Sequence, residues 1–201
     1  MNIQFPTIFR HFFRNLIWRK CPSEKIIYLT LDDGPVPEVT PQVLDILDKY
    51  NVKATFFCVG QNVEKNQELY ADILQRGHRV GNHTYSHIKG FSLPNSVYLD
   101  DVAKAATVIK SHLFRPPYGQ IGRSQAKLLS AQYEIIMWDL ITHDYNQNLT
   151  AKKVLRNVTR YSRNGSIVVF HDSIKAKQNV LTVLPMALEF WRKEGYSFGV
   201  L

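Results

Sequence analysis

The sequence predicts a single α/β domain built on a mainly parallel sheet, open or closed as a barrel. Three observations lead there. Short apolar runs alternate with longer stretches of helical periodicity from residue 25 to the end. No linker or low-complexity segment interrupts the alternation. At 201 residues the chain is long enough to bury one core.

The elements follow in order. In the opening segment Phe5, Phe9, Phe12 and Leu16 recur at helical spacing, with Arg10 and Arg14 off that stripe. Residues 1–24 are therefore expected to pack on the domain as a helix or cap, with a basic amphipathic foot on a membrane surface as the alternative. "KIIYLTL" (25–31) reads as a strand ending at an acidic pair. "TPQVLDILDKY" (40–50) opens with Thr-Pro and puts Val43, Leu44 and Leu47 on one face, a helix signature. "KATFFCVG" (53–60) is a strand, and "EKNQELYADILQRG" (64–77) a helix closed by Gly77. "HRVGNH" (78–83) is a strand, "SVYLDDVAKAATVIKSH" (96–112) an amphipathic helix and "LFRPP" (113–117) a strand end. "SQAKLLSAQ" (124–132) is a helix, "EIIMWDL" (134–140) a strand, "TAKKVLRNVTRYSRNG" (150–165) a helix and "SIVVFHDS" (166–173) a strand. "NVLTVLPMALEFWRKEG" (179–195) is a helix bent or broken at Pro185, and "YSFGVL" a last strand. These make about seven strand–helix units, one short of the standard eight-unit barrel.

Composition narrows the function classes. Lys and Arg number 25 against 17 Asp and Glu, a net charge of +8. No basic run exceeds a dipeptide, which argues against nucleic acid as a partner. The two cysteines, Cys21 and Cys58, form no C-x-x-C, and Cys58 in "TFFCVG" reads as a buried thiol. The N-terminus lacks a signal peptide's apolar stretch and cleavage site, and no segment reaches transmembrane length. A cytoplasmic location is expected, with the N-terminal stretch as a peripheral membrane contact.

In parallel α/β folds, ligands bind at the carboxyl ends of the strands. The ionisable residues fall there: Asp32-Asp33, His83, Arg115, Asp139 after Trp138 with Asp144 close behind, and His171-Asp172. Two adjacent carboxylates repel unless a cation lies beside them. His83 and His87 stand four apart, which on a helix puts both imidazoles on one face. Alone, such a pair is more often a solvated helix face. Together with one carboxylate of the Asp pair it forms a His2Asp set with an open position for water, and the other carboxylate is left as a base.

"LTLDDGP", "HTYSH", "RPPYG", "WDLITHDY" and "VVFHDS" appear in the order of the five motifs of polysaccharide deacetylases. The chain resembles these NodB-homology enzymes of carbohydrate esterase family four over residues 25–200. The resemblance implies a distorted seven-unit (β/α) barrel and assigns roles. Asp32 is the general base, and Asp33, His83 and His87 are the metal ligands, with Thr84 bracing their loop. Arg115 holds the base, and the Tyr118 backbone N–H stabilises the oxyanion. His171 is the general acid, and Val169 lines the acetyl-methyl pocket. Asp144 pairs with His171, with Asp139 as the rival. Leu31 stands where Phe is usual, and Tyr145 where Trp is usual; Trp138 is expected to supply the missing aromatic surface. The implied cofactor is one divalent metal, zinc by preference, with Co, Ni or Fe as alternatives. The implied substrate is an acetylated carbohydrate: peptidoglycan, a chitin-like glycan or a sugar precursor. The alternatives are a metal amidase or O-acetyl esterase acting elsewhere, or a non-catalytic carbohydrate binder. The sequence leaves the oligomeric state open.

Overall fold

The computed structural model describes residues 3–4 and 15–201. The strands are β1 (Leu16–Ile17), β2 (Ile26–Asp32), β3 (Thr55–Cys58), β4 (Arg79–Asn82), β5 (Leu113–Phe114), β6 (Glu134–Ile136), β7 (Leu140–Ile141), β8 (Ile167–His171) and β9 (Ser197–Gly199). The helices are α1 (Thr40–Lys49), α2 (Gly60–Lys65), α3 (Gln67–Gln75), α4 (Asn95–Val108), α5 (Arg123–Leu129), α6 (Ala151–Tyr161) and α7 (Lys177–Lys193). The strands form one curled parallel sheet in the order β1-β6-β5-β4-β3-β2-β8-β7, with β9 added to the start of β2. The result is a distorted (β/α) barrel.

Strand periodicity sorts the side chains between two compartments. On β2, Ile27, Leu29 and Leu31 pack outward with Phe56, Val168, Phe170 and the α7 residues Val183, Leu184, Leu188 and Trp191. Phe57, Leu113, Ile136 and Ile167 fill the barrel interior with Leu201. This apolar plug lies beneath the polar residues at the carboxyl ends of the strands.

Four expectations need correction. The predicted strand over 134–140 is two short strands, because the chain crosses from one edge of the sheet to the other there. β6 pairs with β5 and β1, and β7 pairs with β8. The segment after β1 spans that seam through an Arg19–Ser166 bridge. The helix expected over 64–77 starts earlier and divides at Asn66 into α2 and α3. α7 runs unbroken through Pro185, held by its buried face against the sheet. Leu16, expected on a helical stripe, lies in β1 instead; Phe5, Phe9, Arg10, Phe12 and Arg14 fall outside the described residues. Among the described residues no helix is long and apolar enough to cross a membrane.

Candidate active site

Asp32 is the last residue of β2 and faces the interior. Its Oδ1 accepts a 2.6 Å bond from Arg115 Nη1. Arg115 is fully buried, and three of its other four N–H donors are taken: Nη1 to Thr30 Oγ1 at 2.8 Å, Nη2 to the Met137 carbonyl at 3.0 Å, and Nε to the Ile136 carbonyl at 3.2 Å. The guanidinium lies 4.0 Å from the centroid of the Phe57 ring. A buried cation is tolerated when it is paired and its donors are satisfied. Arg115 therefore caps the apolar plug and forms the floor of the site, with the Asp32 carboxylate fixed above it.

The next three residues turn sharply. Asp33 takes a positive φ of 89°, and the Gly34–Pro35 bond is cis. The Gly34 N–H donates to Asp172 Oδ1 at 3.0 Å, and Thr40 Oγ1 donates to Asp172 Oδ2 at 2.7 Å. A Cβ on Gly34 would lie 1.9 Å from Asp172 Oδ2, so only glycine fits. Asn62 Nδ2 donates to the Asp33 carbonyl at 2.7 Å. Asp172 thus clamps the turn that aims Asp33. Burial, and then the charge of Asp33, push its carboxyl up to about 7, against the lowering bonds from Thr40 and Gly34.

His83 directly follows β4, and His87 closes the adjoining loop. The pair does not sit on a helix, as the spacing alone suggested. Thr84 and His87 have positive φ values of 62° and 55°, so the chain coils back on itself. Side chains hold that shape. Asn82 Oδ1 accepts from the Thr84 N–H at 2.8 Å, and Asp101 Oδ1 accepts from Tyr85 and Ser86 at 2.8 and 3.0 Å. Thr84 Oγ1 accepts from the Ile88 N–H at 3.3 Å. Asp33 Oδ1 lies 3.1 Å from His87 Nε2 and 3.8 Å from His83 Nε2. The Nδ1 of His83 lies 2.8 Å from the Arg115 carbonyl.

This donor set fits a divalent metal. One carboxylate oxygen and two imidazole nitrogens lie within 4.8 Å of one another. The Arg115 carbonyl fixes His83 as the tautomer that carries its proton on Nδ1 and leaves Nε2 free to coordinate. Burial drives the His83 pKa down to about 4, so the ring is neutral, as a ligand must be. Burial alone would raise the Asp33 pKa. The hydrogen bond from His87 and then the charge of His171 outweigh it and hold the carboxyl well below its usual range.

His171 ends β8 beside Asp32, its register partner. Its Nδ1 is 2.7 Å from Asp144 Oδ1, and its backbone N–H donates to Asp144 Oδ2 at 2.8 Å. Thr142 Oγ1 also donates to Asp144 Oδ1, at 3.1 Å. Burial disfavours the imidazolium, but the Asp144 charge and hydrogen bond, with Asp33 and Asp32 behind them, raise the His171 pKa to about 9. Asp139 is engaged elsewhere. It accepts from Arg163 Nε at 2.8 Å and from Ser166 Oγ at 2.8 Å. Of the two candidate partners, the structure brings Asp144 to His171.

Around the rim, Tyr118 sits in a single 3-10 turn with φ 60°. Its ring is 4.7 Å from that of His87 and 5.0 Å from Lys89 Nζ. The Tyr118 N–H donates to no acceptor among the described residues. Trp138 is half-buried and supports this turn from below: a Cβ on Gly119, where φ is +67°, would meet its ring at 2.5 Å. Val169 is buried one strand repeat from His171, on the same face of β8, and lies outside the packed apolar clusters. Sequence reasoning gave no role to Asp172, Asn62 or Asp101. Only the His171-Asp172 doublet flagged Asp172, and nothing flagged the other two.

The polysaccharide deacetylase family model matches residues 19–135. A peptidoglycan-N-acetylglucosamine deacetylase of Bacillus cereus is 32% identical over 188 residues, covering 90% of this chain and 88% of that protein. The crystal structure of a peptidoglycan N-acetylglucosamine deacetylase with a bound N-oxidanyl-benzamide superimposes with a TM-score of 0.91 at 29% identity, over 98% of this chain and 95% of that one. A carbohydrate esterase family four pseudoenzyme from Bacillus anthracis superimposes at 0.83 with 28% identity, covering 92% of this chain and 66% of that one. The chain belongs to the polysaccharide deacetylase family.

Proposed function

We propose that the protein is a metal-dependent hydrolase that removes N-acetyl groups from an acetylated glycan, peptidoglycan first among them, releasing acetate and leaving a free amine. One observation carries this reading: a His2Asp donor set beside two separate proton-transfer groups, each with its own positioning partner. A pseudoenzyme in the same family makes the completeness of that set the deciding feature. The substrate class follows the B. cereus relative, which acts on N-acetylglucosamine in peptidoglycan.

Asp33, His83 and His87 would hold the metal, which supplies Lewis-acid polarisation of the acetyl carbonyl and of water. The remaining roles belong to the chain. Asp32, oriented by Arg115, takes a proton from the attacking water. The Tyr118 N–H donates to the oxygen that gains charge as the carbonyl carbon becomes tetrahedral. His171, protonated at neutral pH through Asp144, gives its Nε2 proton to the departing nitrogen as the C–N bond breaks. Val169 offers an apolar wall for the acetyl methyl, and Tyr118 an exposed ring against which a sugar can lie.

The test is product balance on N-acetylglucosamine oligomers. Acetate and new amine should form in equal amounts with metal-loaded protein, and Asp32→Asn should reduce the rate by roughly 10²–10⁴-fold with metal still bound. An unaltered rate in Asp32→Asn would remove the base assignment. Absence of acetate from any N-acetylated glycan would remove the substrate class.

A further inference from the structure

We infer that a second site, on the outer face of α6, binds a phosphate-bearing anion. A cavity of about 450 Å³ opens between α6 and the loop that follows β7. Lys153, Arg156 and Arg160 line it from the helix, and Asn146 lines it from the loop. Their spacing of three and four residues puts the three cations on one face of α6. Among the described residues no acidic side chain lines the cavity. None of the three cations makes a salt bridge among the described residues, whereas the nearby Arg163 is paired to Asp139. Asn146 Oδ1 is occupied by the Asn148 N–H at 3.0 Å, which leaves its amide hydrogens to donate.

The charge pattern around the helix points the same way. From Tyr145 to His171 the sequence contains no Asp or Glu, but it contains Lys152, Lys153, Arg156, Arg160 and Arg163. The first turn of α6 carries no acid and holds Lys152 and Lys153, the wrong sign for the positive end of the helix dipole. A bound anion relieves both. Three convergent cations exceed what a single carboxylate neutralises. Two guanidinium forks suit the several oxygens of a phosphate, and the volume admits a small organic appendage. The site is separate from the metal donor set, none of whose residues lines it. It does touch the catalytic loop: His143, in the cavity wall, precedes Asp144, and Asn157 Nδ2 holds the Thr142 carbonyl at 2.9 Å.

The phosphate could belong to a soluble metabolite or a lipid headgroup, and the test separates them. Full-length protein is titrated with inorganic phosphate and with glycerophosphoglycerol, followed by NMR. In parallel it is sedimented with vesicles of phosphatidylglycerol plus phosphatidylcholine against phosphatidylcholine alone. Binding to the soluble probes, weakened at least tenfold in Arg156→Gln/Arg160→Gln, supports the site with a soluble ligand. Sedimentation with the anionic vesicles alone, abolished by the same pair, supports it with a headgroup. Both substitutions are exposed, and deacetylation of a soluble oligosaccharide should not change. Lys175→Gln/Lys177→Gln removes equal charge elsewhere and should leave binding within twofold. Equal losses in the two double variants would reduce the effect to net charge and overturn the site. So would binding that survives Arg156→Gln/Arg160→Gln, or no binding to any probe.

Discussion

At the scale of single residues, the site depends on two buried charges held by different partners. His171 has its pKa raised to about 9, so it is protonated at neutral pH and loses that proton as pH rises. A step that needs its proton must fail on the alkaline side. The deacetylation rate should therefore fall as pH climbs toward 9, and earlier once a neighbouring metal cation disfavours the imidazolium. Asp144→Asn removes the leading cause of the shift, so that limb should move toward the ordinary histidine range near 6.5. Asp139→Asn should leave the limb in place and only lower stability, because Arg163 loses its partner. A pH–rate profile of the two variants distinguishes them, and an unmoved limb in Asp144→Asn would break the assignment. Arg115→Ala would leave the buried Asp32 carboxylate unpaired. Chemical denaturation should show a loss of about 3–5 kcal/mol, together with lost activity.

At the scale of elements, the sequence made the strand ends legible and left the turns beyond them obscure. Apolar runs ending in Asp32-Asp33, Arg115 and His171 mark the ends of three strands, because a buried parallel strand reads as an apolar run that stops near the first ionisable residue. Spacing could not show that His83 and His87 meet through a left-handed loop. The positive φ values of Thr84 and His87 arise from Asn82 and Asp101 binding backbone N–H groups, and such bonds leave no periodic trace. The clamping role of Asp172 was equally hidden, since its partners Gly34 and Thr40 come from the far end of the chain. Gly34→Ala tests this clamp. With a Cβ 1.9 Å from the Asp172 carboxylate, the turn must shift. Stability should drop by about 1–3 kcal/mol, and zinc affinity by roughly 10–100-fold as Asp33 loses its aim. Calorimetric zinc titration would show whether the affinity is unaltered, which would separate the clamp from the ligand.

At the scale of the whole molecule, an apolar plug and a polar mouth share one barrel, and Arg115 divides them. The alternation of strands and helices was plain in the sequence because each element keeps its own period. The closure of the barrel was not. β1 has only two residues, and its role lies in the seam between β6 and β8 rather than in any pattern of its own. Removing residues 1–20 would strip Leu16 and Trp18 from their buried positions. At about 1.5–3 kcal/mol for each buried side chain, the truncated protein should unfold at clearly lower denaturant concentration; an unchanged midpoint would make the seam dispensable.

Deacetylation by this chain should require metal held by Asp33, His83 and His87. Its most direct measurement is acetate release from N-acetylglucosamine oligomers by metal-stripped protein during titration with zinc. No release is expected at the start, followed by a rise that levels off near one zinc per chain. Full release without metal would contradict it, as would one tightly bound zinc with no release from any N-acetylated glycan.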